Sequence, residues 1–303
     1  RVKSSFDLEA IKNSGLNFAY DAMYGAGQNV MKKLFPEMTF LHCDYNPSFN
    51  DQAPEPIDKN LTEFSELIKT KKNIAAGLAT DGDADRIGLY NSKGEFVDSH
   101  HIILLLLLYL HKYKKLKGKV VVAASTTPRV VKLAEKWGLD HDTVKVGFKY
   151  IAGQMVTEDV LIGGEESGGI AIKGHIPERD GIWMGLVLFE YMATSGKSLE
   201  ELINEVYELV GEFKYCRDDL HLDEKLKNSI VKKCNNNEFS SFGEYKVIKV
   251  DKTDGFKFIL KDDQWLMIRP SGTEPVLRCY AESKDLDGAK AILAACKTAI
   301  GVS

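Results

Sequence analysis

Apolar residues along this chain fall into short dense runs divided by polar turns, and the runs alternate between strand and helix signatures. LNFAYD, MTFLHCD, IAAGLATD and IGLYN read as strands. GAGQNVMKKLF and NLTEFSELIKT between them read as helices, one led by glycine and the other opening with a cap. The order is a βαβ pattern, with the segment TDGDADR at a strand's C-terminal end, where open α/β sheets gather ligand chemistry. FNDQAPEPID, with two prolines close together, predicts an exposed connection.

The run IILLLLLYL at 102–110 predicts a buried helix, since nine residues fall well short of the roughly 20 that span a bilayer. The alternation then resumes with KVVVAAS as a buried strand and PRVVKLAEKWG as a helix that starts at proline and ends at glycine. DTVKV and DVLIGGEE follow as strands, and DGIWMGLVLFEYMATSG as a long helix. After a boundary near 211–218 the character changes. A polar helix (DEKLKNSIVKKC) precedes YKVIKVD, GFKFILKD, QWLMIRPS and VLRCYAES, strands at hairpin spacing, and the helix LDGAKAILAACKTAI closes the chain. The expectation is two tandem α/β domains followed by a small α+β domain built on an antiparallel sheet.

Composition adds bounds. With 303 residues, 44% hydrophobic and 28% charged, the chain is an ordinary globular protein of two or three domains. A net charge of −4 and scattered lysines give no basic stripe for nucleic acid. Five cysteines without a CxxC pair fit a reducing cytoplasm and no zinc site. No signal peptide or membrane segment is read, and a first residue of Arg1 rather than methionine predicts trimming at the N-terminus.

The chemistry concentrates in three segments. In TDGDADR, Asp81, Asp83 and Asp85 present hard oxygen ligands in a tight loop beside Arg86, which suits Mg²⁺ better than a thiolate-preferring metal. A solvated turn would need neither the third aspartate nor the flanking strands. An EF-hand fails because its glycine position holds Arg86 and its bidentate glutamate position holds Ser92. In IGGEESGGI, glycines around Glu165 and Ser167 let backbone approach a polyol, and the same segment reads equally as a glycine-rich turn. In RPSGTEPVLR, Arg269, Ser271, Gly272 and Thr273, with Arg278 close behind, make a donor-rich loop for a phosphate monoester; an ordinary PSG turn is the alternative. Lys149 in VGFKYI is placed in a short loop after a strand, as a phosphate or hydroxyl contact, a proton donor, or simply a surface lysine. His100 and His101 show no carboxylate partner in register and are read as structural.

Taken in this order, TDGDADR, GEESGG and RPSGTEP resemble the α-D-phosphohexomutase family, which includes phosphoglucomutase, phosphomannomutase and phosphoglucosamine mutase. The resemblance implies four domains around a central cleft, of which this chain would carry the second (1–96), third (97–210) and fourth (211–303). It also implies that Asp81, Asp83 and Asp85 bind Mg²⁺ and that Arg86 steadies the phosphoserine side. Glu165 and Ser167 would take sugar hydroxyls, while Arg269, Ser271, Gly272 and Thr273 would hold the non-reacting phosphate. Lys149 matches a lysine of glucose-type members. Two departures stand out. The TASHNP-like serine loop that carries the phosphoryl group is absent, and Ser125 in AASTTP is only a partial imitation of it. Gly169 stands where members selective for mannose or glucosamine phosphates often carry histidine, so glucose phosphate is the first expectation and mannose phosphate the second. A chain so built would bind metal and hexose phosphate without completing the mutase cycle. A non-catalytic sugar-phosphate-binding protein is its rival.

Overall fold

Runs of apolar residues without polar alternation become strands buried on both faces, and those strands set the architecture. The computed structural model describes residues 1–271 and 275–302. Two short helices, α1 (Val2–Ser5) and α2 (Leu8–Asn13), lead into β1 (Asn17–Asp21), α3 (Gln28–Leu34), β2 (Thr39–Leu41), α4 (Thr62–Lys71), β3 (Ile74–Thr80), β4 (Ile87–Asn91) and β5 (Phe96–Val97). These strands form one sheet in the order β2-β1-β3-β4-β5. β1 runs parallel to β2 and β3, as the βαβ pattern requires. β4 corrects that pattern, because it runs antiparallel to β3 with Thr80 opposite Ile87. The aspartate segment is therefore the tip of a hairpin. A parallel return needs a crossover of a dozen or more residues, and the connection from Asp81 to Arg86 is too short for one.

Helix α5 (Ser99–Leu108) is buried at every position after Ser99 and ends in a wider turn, Tyr109–Tyr113. Its N-cap, Asp98, accepts a hydrogen bond from the backbone of His101 (3.1 Å) and another from that residue's Nδ1 at 2.8 Å. His101 thus has a carboxylate partner three residues upstream, contrary to the sequence reading, and its structural role stands on that contact. The chain continues through β6 (Lys119–Ala123), α6 (Pro128–Lys136), β7 (His141–Val144), α7 (Phe148–Thr157), β8 (Val160–Gly164), β9 (Ile170–Ile172), α8 (Gly181–Ser195) and α9 (Leu199–Val210). The second sheet has the order β7-β6-β8-β9. β6 and β8 are parallel, and β8 and β9 are antiparallel, so GEESGG is likewise a hairpin tip.

Residues 1–142 and 147–209 make one compact unit; residues 143–146 with those from Val210 onward make another. The second unit holds β10 (Lys214–His221), α10 (Glu224–Asn235), β11 (Ser241–Phe242), β12 (Tyr245–Lys246), β13 (Lys249–Asp251), β14 (Phe256–Ile259), β15 (Trp265–Pro270), β16 (Val276–Ser283) and α11 (Leu286–Ile300). Its main sheet runs β10-β16-β15-β14-β13 with every pairing antiparallel. Phe258, Leu266, Ile268, Leu277, Cys279 and Ala281 on one face pack with Ile292 and Cys296 of α11 in one core. The expected α/β, α/β, α+β order is present, with one addition. The polar stretch KYCRDDLH, which overlaps the boundary expected near 211–218, is the edge strand β10. No helix among the described residues is long and apolar enough to cross a membrane.

Candidate functional site

The acidic loop is closed by its own first aspartate. Asp81 is buried at the end of β3, and its Oδ1 accepts the backbone N–H of Arg86 at 2.9 Å while its Oδ2 accepts Arg86 Nε at 2.6 Å. The turn bends through Ala84, whose φ is +64°, and Ala84 N–H donates to Asp81 O at 3.0 Å. Arg86 is held further by Glu55 Oε1 at 3.4 Å. One oxygen each from Asp81, Asp83 and Asp85 lies within 4.8 Å of the others. Octahedral Mg²⁺, with bonds of about 2 Å, sets its ligand oxygens roughly 3 to 4 Å apart.

The charge of the loop also fits a cation. Burial, and then the negative charge of Asp81, push the Asp85 carboxyl up to about 6, with Asp83 adding to the effect and Arg179 opposing it. Three carboxylates against the Arg86 and Arg179 guanidiniums leave the loop negative, a balance that a divalent cation would correct.

Three neighbouring segments fix the loop through backbone contacts. Ala26 N–H, in the GAG turn before α3, donates to Gly82 O at 3.0 Å; Gly181 N–H, at the start of α8, donates to Ala84 O at 2.9 Å. The third contact comes from the glycine-rich hairpin. Ile87 N–H donates to Gly168 O at 3.2 Å, and Arg86 pairs with Gly169 in an isolated antiparallel bridge. Gly168 has φ +93°, and a Cβ there would lie 2.7 Å from Ile87 O. Only glycine brings these two hairpins so close.

Within the glycine-rich hairpin, Glu165 is buried and Ser167 is exposed. Glu165 Oε1 accepts the Gly147 N–H at 2.7 Å, which ties this loop to the start of α7. Ser99 Oγ, at the start of α5, donates to Glu166 O at 2.6 Å. Lys149 lies in the first turn of α7 rather than in a loop, which corrects the sequence reading; its ammonium is exposed and 5.1 Å from the Tyr150 ring. Phe148, Ile151 and Met155 recur at helical spacing after Gly147, a signal that was available in the sequence.

Arg179 is the residue that sequence reasoning missed. Its guanidinium reaches Asp85 Oδ2 at 2.5 Å and stands 5.5 Å from the Phe148 ring centre. So Asp81, Asp83, Asp85, Arg86, Glu165, Gly168 and Arg179 belong to one connected network in the first unit.

In the second unit Arg269 lies next to the end of β15, directly opposite Arg278 of β16. Like charges side by side need counter-ions, and each has one. Arg269 Nε is 3.2 Å from Asp254 Oδ2, which also accepts the Val146 N–H at 2.8 Å, and Arg278 Nε is 3.9 Å from Asp219 Oδ2. Ser271 N–H donates to Val276 O at 2.9 Å and starts the loop. Gly272 and Thr273 lie outside the described residues.

Comparison with known proteins converges on one family. Family models described as phosphoglucomutase/phosphomannomutase match in three segments: alpha/beta/alpha domain II at residues 1–94, alpha/beta/alpha domain III at 98–210, and the C-terminal domain at 226–298. The chain is 30% identical over 296 residues to a phosphoglucomutase/phosphomannomutase of Thermococcus kodakarensis, covering 96% of this chain and 62% of that protein. It is 31% identical over 292 residues to a phosphoglucosamine/phosphogalactosamine mutase of Sulfurisphaera tokodaii, covering 94% and 61%. A crystal structure of a phosphomannomutase candidate from Thermus thermophilus superposes with a TM-score of 0.84 at 30% identity, over 99% of this chain and 64% of that one. The chain thus spans somewhat under two thirds of the length of the relatives it matches.

Proposed function

Because the chain belongs to the phosphoglucomutase/phosphomannomutase family and carries its domains II, III and IV, we propose that it supplies the metal, sugar and distal-phosphate parts of a phosphohexomutase. The full reaction interconverts a hexose 1-phosphate and a hexose 6-phosphate through a phosphoserine enzyme and a bisphosphate intermediate. The observation that carries the reading is the join between the two hairpins. The backbone bond from Ile87 to Gly168 and the antiparallel bridge pairing Arg86 with Gly169 hold three carboxylates beside a glycine-rich sugar loop.

Each group has a task in that chemistry. Phosphoryl transfer depends chiefly on positioning and charge neutralisation. Mg²⁺ held by Asp81, Asp83 and Asp85 would supply neutralisation at the transferring phosphoryl group. Arg86, fixed by Asp81 and Glu55, presents its guanidinium to the same side. Glu165 and Ser167 offer an acceptor and a hydroxyl to sugar hydroxyls, and Lys149 offers an exposed ammonium. Arg269, Ser271 and Arg278, with Gly272 and Thr273 of the same sequence motif, would hold the phosphate that does not react. Glucose phosphate is the first candidate and mannose phosphate the second, because Gly169 leaves the sugar loop without a histidine. A cytoplasmic setting agrees with five free thiols.

These 303 residues by themselves bind without turning over. No Ser-His-Asn-Pro loop occurs in them, and Ser125 is 1% exposed, out of reach of a sugar phosphate. The alternative reading is a sugar-phosphate-binding protein with no catalytic step. A source gene encoding an upstream segment with a SHNP loop would end that second reading. Mutase activity then requires that segment, and assays with glucose, mannose and glucosamine 1-phosphates would rank the substrates. For the metal site, calorimetry on this chain should show Mg²⁺ binding that Asp83→Asn abolishes without unfolding the protein, since Asp83 is exposed. Equal binding by Asp83→Asn would remove the loop from the proposal.

A further inference from the structure

Two of the three loop carboxylates already carry a guanidinium, and the two arrangements differ. Arg86 is adjacent to the loop and locked to it. Its backbone N–H and its Nε both bond Asp81, and Glu55 takes another of its nitrogens. Arg179 arrives from the segment before α8 and makes one tight contact, Nη2 to Asp85 Oδ2 at 2.5 Å. A second acceptor lies at its other side. Glu178 Oε1, on an exposed side chain, is 3.4 Å from Arg179 Nε and also accepts the Arg179 backbone N–H at 2.9 Å.

The path of the Arg179 side chain depends on the sugar loop. It crosses directly over Gly169, where an added Cβ would collide with Arg179 Cδ and stand 3.2 Å from its Cγ. Any side chain at 169 would push the arm aside. A dication seeking an oxygen from Asp85 competes with the guanidinium for the same lone pairs, and two cations within a few ångströms repel strongly in a partly buried site.

We propose that Arg179 is the internal counter-ion of the acidic loop: it occupies Asp85 until a divalent metal displaces it, and the glycine at 169 is what allows it to reach. Displacement moves the guanidinium towards Glu178, so metal capture and release of the Arg179 arm are one event. The inference rests on the reading of the loop as a metal site, and it makes Arg179 a positioning residue for that site.

Calorimetric titration with Mn²⁺ on the whole 303-residue chain tests both levels. Arg179→Met should bind metal about tenfold more tightly, because a partly buried competitor for Asp85 is gone. Gly169→Ala should tighten binding in the same direction without changing any charge, and adding it to Arg179→Met should have no further effect. Affinity within about twofold of wild type in Arg179→Met overturns the inference. So does tightening in Arg179→Met with none in Gly169→Ala, which would mean a field effect without displacement. If the variants do not fold, the Arg179 Nε–H resonance of ¹⁵N-arginine-labelled wild type replaces them: it should shift as diamagnetic Mg²⁺ saturates the site, and an unmoved signal overturns displacement. A wild-type chain that binds no Mn²⁺ at all sinks the metal-site reading itself and takes this inference with it.

Discussion

Gly168→Ala should damage this site through two costs at once. At φ +93° an L side chain is strained by about 1–2 kcal/mol. The new Cβ would also stand 2.7 Å from the Ile87 carbonyl oxygen, which is backbone in a paired strand whose own N–H is bonded to Gly168 O. Relieving such a contact by moving backbone costs about 1–3 kcal/mol. The sum is about 3 kcal/mol. Gly138 is the control: it has φ +65° with nothing within 4 Å of an added Cβ, so Gly138→Ala should cost only the conformational part, about 1 kcal/mol. The difference of about 2 kcal/mol corresponds to a melting-temperature gap of roughly 4–8 °C in a unit of this size. Differential scanning calorimetry of the two variants measures it. If Gly168→Ala melts no earlier than Gly138→Ala, the two hairpins do not press together as described, and the join that supports the functional reading is lost.

Metal affinity should be flat above about pH 6 to 7 and fall about tenfold per unit below, because Asp85, pushed up to about 6 by burial and by its acidic neighbours, must lose its proton to bind; titrations at about pH 5, 6 and 7 check this. In the metal-free protein the sign for folding is opposite to that of an ordinary salt-bridged acid. The raised carboxyl favours the folded state most below about 4, and that contribution is lost as pH rises through about 6, so the stability of Asp85→Asn relative to wild type should rise over that interval. Glu190→Ala should lower the melting temperature of the first unit, at a cost of about 3 kcal/mol. It strips a buried acceptor from Asp7 N (3.0 Å), Tyr109 OH (2.7 Å) and Lys114 Nζ (3.1 Å). Burial alone would raise Glu190, yet those donors hold it below the ordinary carboxylate value, so its contribution should disappear as pH falls through the acid range. Arg269→Ala should weaken glucose 1-phosphate binding about tenfold by calorimetry, the worth of one charge-assisted contact; unchanged affinity would remove Arg269 from the phosphate loop.

Elements that form locally were legible in the sequence. PRVVKLAEKWG is a helix with Thr127 as its cap, proline in its first turn and Gly138 beyond its end, as its punctuation implied. Strand direction was less legible. IAAGLAT and IGLYN are buried on nearly every residue, so neither alternation nor polarity distinguishes a hairpin from a crossover. The length of the connection does distinguish them, and it argues for a hairpin. β10 was hidden for the opposite reason: it is an edge strand with half-exposed, charged residues, and such strands resemble linkers in composition.

Arg179 marks where sequence reasoning ends. In IPERDG it sits among charged residues of a turn, and nothing local separates it from a solvated arginine. Its significance comes from three positions that only folding brings together: Asp85 on the β3–β4 hairpin, Gly169 on the β8–β9 hairpin, and Phe148 on α7. Each motif presents a full set of ligands when read alone, yet a set of carboxylates without cations would repel itself apart. The loop draws positive charge from Arg86, bonded to Asp81 through both its backbone and its side chain, and from Arg179, which touches the loop at Asp85. That asymmetry is what the proposed displacement of Arg179 rests on, and it follows from how the hairpins stack rather than from any single motif.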